Sequence, residues 1–199
     1  SAGLGPLLWL EGPNEKAVWN GYEMESFCFY EAVRAEIIAS KDLKALCCQF
    51  PVGHPDLALW ENPIVHDYLR RILRAEGGLA LHEYSQPTLQ SAQGYTIGRH
   101  VQVYDRLPQY LWDLPLFISE FGIDGGVNYD GAPTPRPREG WRSYCSSEAD
   151  YLEQIRKITP LLKRPLAVFF FTYGDPVGDS FWKSFEMKDT GLISEWIGQ

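Results

Sequence analysis

The chain has 199 residues, 45% hydrophobic and 22% charged, which is enough to bury a substantial core and ordinary for a globular rather than a disordered protein. A formal net charge of −8 excludes a general nucleic-acid or anionic-membrane binder, because either needs a basic face. No run approaches the roughly 18 consecutive apolar residues of a transmembrane helix, and the opening "SAGLGP" lacks the charged and apolar regions of a signal peptide.

Leu7 to Leu10 is the first predicted strand, and it breaks abruptly into Glu11, Gly12, Pro13, Asn14 and Glu15. Phe27, Tyr30, Val33, Ile37 and Ile38 recur at spacings of three and four, predicting an amphipathic helix over about 21–39. "LKALCCQF", 43–50, predicts the second strand and ends in the loop "PVGHPD". Pro63, at a favoured first-turn position, opens a helix through Tyr68, Leu69, Ile72 and Leu73 that Gly77 and Gly78 stop. "LALHEY", 79–84, predicts the third strand, and Ile97, Val101, Tyr104 and Leu107 mark a third helix limited by Pro108. "LFISEF", 116–121, predicts the fourth strand. The Gly- and Pro-rich segment 122–146 after it has the length of a functional or mobile loop. Ser147 with Asp150 three residues on resembles a capping box, opening a helix through Leu152, Ile155, Ile158 and Leu162. "LAVFFFTY", 166–173, is the fifth predicted strand, apolar throughout as expected when both faces are covered. A short helix over 192–197 closes the chain.

Short apolar runs alternating with helical segments are the pattern of parallel βα units. The expected fold class is therefore α/β, with about five βα units in one domain spanning 1–199. Ligands of such folds bind at the carboxyl ends of the strands, so the polar clusters that close each run belong on one face. Of the four cysteines, Cys47 and Cys48 are neighbours in a predicted strand, which would point them to opposite faces as small buried fillers. Cys28 and Cys145 leave room for a disulfide, but no CxxC spacing suggests zinc.

Four segments together carry a family resemblance. "WLEGPNE" resembles the Asn-Glu signature closing the fourth strand of the clan A retaining glycoside hydrolases, which are TIM (β/α)8 barrels. "FISEFG" resembles their seventh-strand nucleophile motif, "LHEYSQP" the end of the sixth strand, and "VFFFTYGDP" with the later Trp182 the eighth. The four fall in the right order at plausible spacing, which is far more specific than any one of them. The resemblance implies strands four to eight of the barrel, a partial barrel or fragment. The three leading units would come from a missing N-terminal segment or from a second chain.

Retaining hydrolysis needs two carboxyl groups about 5–5.5 Å apart, one protonated to give its proton to the leaving oxygen and one ionised to attack the anomeric carbon. The resemblance implies Glu15 as acid/base and Glu120 as nucleophile, with Asn14 donating to the sugar 2-hydroxyl. Mutual repulsion of two close acids would raise one pKa, as the acid role requires. On its own, Glu15 would read as a helix N-terminal acid complementing the macrodipole. His82 and Tyr84 share one face of the third strand. Tyr84 is expected to donate to Glu120, while His82 reads about equally as a core residue and as a site residue. Tyr173 stands where the family often has Trp, so the aromatic platform for the sugar falls to Tyr173 or to Trp182. Trp60, Trp141 and His54 read as packing or turn residues, and Glu11 as structure.

No cofactor is implied, and "HEY" has no second His at ligand spacing for a metal. The expected partner is a carbohydrate, with no nucleic acid and no membrane. The location is open, a secreted or extracellular one being compatible. The rival from another class is a non-catalytic carbohydrate-binding or scaffold protein with a glycosidase-like barrel. Serine α/β-hydrolase chemistry fails for want of a GxSxG elbow.

Overall fold

The computed structural model describes residues 8–172, 182–188 and 190–191. Five strands form one parallel sheet in sequence order: β1 (Trp9–Glu11), β2 (Lys44–Phe50), β3 (Gly78–Ser85), β4 (Leu116–Ile123) and β5 (Ala167–Phe170). Between them run α1 (Gly21–Ala39), α2 (Pro63–Arg74), α3 (Arg99–Arg106), α4 (Trp141–Tyr144) and α5 (Glu148–Ile158), with three short 3-10 turns. None of the helices among the described residues is long and apolar enough to cross a membrane.

The helix limits follow from local chemistry. Asn20 caps α1 by accepting from Glu23 N at 3.0 Å, and Glu23 reaches back to Trp19 N at 2.9 Å, so two orphan donors are satisfied reciprocally. Asn62 accepts from Ile64 N at 2.9 Å, and Pro63 starts α2 where its missing N–H costs nothing. Ser147 caps α5 through Asp150 N at 3.1 Å. Asp150 bonds Ser146 N rather than the cap residue itself, so only half of a capping box forms.

The described residues pack as two compact units: 8–82 with 100–119 and 165–167, and 83–99 with 120–164, 168–172 and the residues from 182 onward. In the first unit, Leu46, Ala80 and Phe117 form a core joined by Trp9 and Ala167, so every strand gives one residue to the same face of the sheet. The opposite face of β2 meets α1, where Phe50 packs edge-on against Phe27 and Trp60. Glu31 of α1, fully buried, pairs with Arg34 at 2.7 Å. Arg34 in turn donates to the carbonyls of Leu10 and Leu46, tying α1 to β1 and β2. A buried pair of this kind is costly to break, about 3–5 kcal/mol if one partner is removed.

In the second unit, Trp141 stacks on Tyr151 at 4.9 Å and Phe121 meets Phe170 at 5.3 Å. Buried Gln86 anchors the long segment after β4. Its amide donates to Val127 O at 2.5 Å, its backbone carbonyl accepts from Tyr129 Oη at 2.5 Å, and its Oε1 accepts from Tyr144 Oη at 3.2 Å. That segment is therefore pinned at several points, and an isolated bridge joins Asp124 to Gly140.

Two sequence expectations need correction. Cys47 and Cys48 do not point to opposite faces. The Cys47 thiol lies 3.8 Å from Glu31 O and the Cys48 thiol bonds Cys28, so both address α1. A bulge is the reason: between Cys47 and Phe50 the register against β3 slips, and Cys48 takes a φ of 63°. All four cysteines are free, in keeping with the reading of Cys47 and Cys48 as buried fillers rather than a disulfide framework. Finally, β5 is only four residues long and is not covered on both faces, since Phe169 is 51% exposed. Leu7 and the predicted helix over 192–197 lie outside the described residues.

Candidate functional site

β1 ends at exposed Glu11, and residues 12–15 turn the chain out of the sheet. Gly12 is needed there for close approach: a Cβ on it would meet the Arg34 guanidinium at 2.7 Å. Glu15 ends the turn with a φ of 50°, uncommon for a residue with a side chain. Lys16 N then donates to Gln49 O at 3.3 Å, fixing the turn to the end of β2.

This places Glu15 Oε1 3.1 Å from Nδ1 of His82 on β3. The His82 side chain is buried, while that of Glu15 is 47% exposed. The hydrogen bond from His82 holds the Glu15 carboxyl below its ordinary range, with partial burial opposing and the imidazole's charge assisting. That direction is the reverse of the raised value expected for an acid, because His82 donates to the charged form. His82 is thus a buried histidine hydrogen-bonded to the candidate acid.

In the second unit, the Tyr84 hydroxyl donates to Glu120 Oε2 at 2.8 Å, as the sequence led one to expect. Tyr84 is buried, and Phe171 meets its ring edge-on at 6.3 Å. Phe171 also contacts Trp182 at 5.2 Å, so Trp182 stands one aromatic ring away from Tyr84. Tyr173 lies outside the described residues. Each unit thus holds one bonded carboxylate: Glu15 with His82 in the first, and Glu120 with Tyr84 in the second.

The remaining candidates divide cleanly. Asn14 is exposed in the turn beside Glu15. Trp60 is fully buried against Phe50, and Trp141 is buried against Tyr151, so both are packing residues. His54 meets Trp19 edge-on at 4.3 Å. Trp19 was not anticipated as a site candidate. It is a highly exposed Trp four residues after Glu15, and an aromatic so close to a candidate acid was the available signal.

No family model matches the sequence, and neither a curated protein nor a solved structure matches the chain.

Proposed function

We propose that the chain is a retaining β-glycosidase whose five βα units correspond to strands four to eight of a TIM barrel. Glu15 is the acid/base, Glu120 the nucleophile, and Asn14 a donor to a sugar hydroxyl. The observation that supports this reading is that each candidate carboxylate has its own donor within its unit: His82 donates to Glu15 in the first, and Tyr84 donates to Glu120 in the second. A nucleophile needs one fixed rotamer and an ionised state, which a buried phenol donor supports. An acid/base must exchange protons, which a half-exposed carboxyl beside an imidazole does readily. The lowered pKa of Glu15 describes the resting protein. A sugar laid over that carboxyl removes water and favours its neutral form. The substrate is a β-linked glycoside or oligosaccharide. Trp182 is the aromatic platform for its C–H face, and His82 and Tyr84 are further substrate-binding residues; Tyr173, the alternative platform, lies outside the described residues. The remaining three βα units, from chain outside this sequence or from a second chain, would pair with the edge strands β1 and β5.

Glu120→Gln is expected to abolish turnover of nitrophenyl β-glycosides, and retained turnover removes Glu120 from the role of nucleophile. A sugar complex with the two carboxyl groups more than about 9 Å apart would refute the retaining mechanism. The lowered pKa of Glu15 favours a second reading, a carbohydrate-binding protein without turnover. Calorimetric binding of oligosaccharides with no product formed would establish it.

A further inference from the structure

β2 is apolar except for its first residue, Lys44, and for Gln49 near its end. Gln49 is 1% exposed, and neither its amide nitrogen nor its amide oxygen has a hydrogen-bond partner among the described residues. Leaving a buried donor or acceptor unmade costs about 1–3 kcal/mol. Two on one side chain are therefore a liability that a leucine of similar size would remove.

The bulge decides where that side chain points. In a regular strand Gln49 would share the face of Cys47, toward α1. Cys48 is the extra residue, and after it Phe50 faces α1 against Phe27 and Trp60. Gln49, the residue before Phe50, therefore returns to the face of Leu46 and Ala80, the face on which His82 also stands. The bulge is held on purpose-built chemistry: Cys48 N donates at 3.3 Å to Glu31, the buried acid paired with Arg34. The Gln49 carbonyl meanwhile receives Lys16 N, the residue after Glu15. Ser119 on β4, two residues beyond core-facing Phe117, carries a buried hydroxyl that also has no hydrogen-bond partner among the described residues. Polar groups thus lie one step beyond the apolar layer of Leu46, Ala80 and Phe117: Gln49, His82 and Ser119.

From this we infer that Gln49, seconded by Ser119, binds ligand hydroxyl groups on the floor beside the Glu15–His82 pair and sets which sugar is accepted. This rests on the glycosidase reading and deepens it. An amide offers one planar donor edge and one acceptor edge, which suits adjacent hydroxyls on a neutral ring. A site built to bond a hydroxyl rejects an analogue lacking it far more strongly than an apolar site could.

The test uses the full chain carrying Glu120→Gln, so that ligand persists, and measures calorimetric affinity for nitrophenyl β-glucoside, β-galactoside, β-mannoside and β-xyloside and their monodeoxy analogues. Gln49→Leu is expected to weaken the best ligand about tenfold, to erase discrimination against one deoxy analogue, and to leave Tm unchanged or raised. A merely structural Gln49 would lower Tm without changing the ranking of analogues. Ser119→Ala is expected to weaken the same ligand about threefold, and it supplies a second readout if the leucine variant misfolds. Unchanged affinity and unchanged ranking in both variants overturn the inference while leaving the glycosidase reading intact. If the sugars bind with the expected Gln49 dependence but the natural chain turns none over, the inference stands and the hydrolase reading falls. No binding of any panel sugar overturns both.

Discussion

Tyr84→Phe removes one atom from the candidate nucleophile's surroundings and leaves the rest in place. The hydroxyl donates to Glu120 at 2.8 Å from a ring that is 4% exposed, so solvent replaces it poorly. A hydrogen bond to a charged group is worth about 1.5–3 kcal/mol, which converts to a loss of about 10- to 150-fold in rate if the whole bond acts in the transition state. Two effects oppose each other. The bond fixes the carboxylate rotamer, but it also stabilises negative charge that must be given up on attack, so the variant's carboxylate is the stronger nucleophile. The lower end of the range, about tenfold, is the expected outcome. The edge contact with Phe171 survives in the variant, so Tm should fall by no more than the loss of one bond requires. The assay is kcat and KM on nitrophenyl β-glycosides beside a thermal melt, with the loss expected in kcat. A kcat within twofold of the natural protein together with a lowered Tm would refute the positioning role and make Tyr84 a packing residue.

Glu15 sets the pH behaviour: as a general acid held below its ordinary value of 4.5, it puts the basic limb of the free enzyme's kcat/KM profile in the acid range, and His82→Gln should move that limb to higher pH. Because the folded pKa is lowered, the stability margin of the natural protein over Glu15→Gln is full above 4.5 and shrinks as pH falls through the folded value, which melts at stepped pH would show or deny. The thiols give a third check. Burial pushes Cys145 up to about 12 and raises Cys47, and a hydrogen bond with Cys28 together with burial raises Cys48, so a thiol reagent at pH 8 should label the native chain slowly and the unfolded chain at four sites, and fewer than four would reveal a disulfide.

The sequence placed α1 over the residues it occupies but not the face it buries: Tyr30 and Ile37 of the predicted stripe are exposed, while Met24, Cys28, Glu31, Ala32 and Ala35 join Phe27 inside. The strands were legible as apolar runs bounded by turn residues. What escaped was set by residues far apart in the chain. Alternation in "LKALCCQF" predicts one face for Cys47 and another for Cys48. The bulge that reverses this depends on Glu31, sixteen or more positions away, reaching the Cys48 amide from α1. No local pattern encodes that. The Tyr84–Glu120 bond was anticipated because the resemblance named both partners. The Glu15–His82 bond was missed as a pairing, although both residues had been singled out. It arises because the turn of residues 12–15 doubles back, and that turn depends on Gly12 yielding room to Arg34. The Trp19–His54 contact spans two loops and has no signature in either.

Arg34 and Glu31 therefore do more than join α1 to the sheet. One buried ion pair lies behind Gly12, reaches the ends of β1 and β2, and holds the bulge. Those are the three local features on which the Glu15 turn and the Gln49 orientation depend. If stability alone were at stake, an apolar pair of similar volume would serve as well, since buried ion pairs are often neutral or costly relative to packed hydrophobes. The pair's distinctive product is geometry: it sets the path of two strand ends to within a hydrogen bond, at the point where Glu15 and Gln49 leave the sheet. A site that must hold a carboxyl and an amide in fixed relation to a ligand needs that rigidity more than it needs the energy. Rearranging α1 at these two residues should thus damage recognition before it damages folding, and this couples a helix remote from the carboxylates to the chemistry proposed for them.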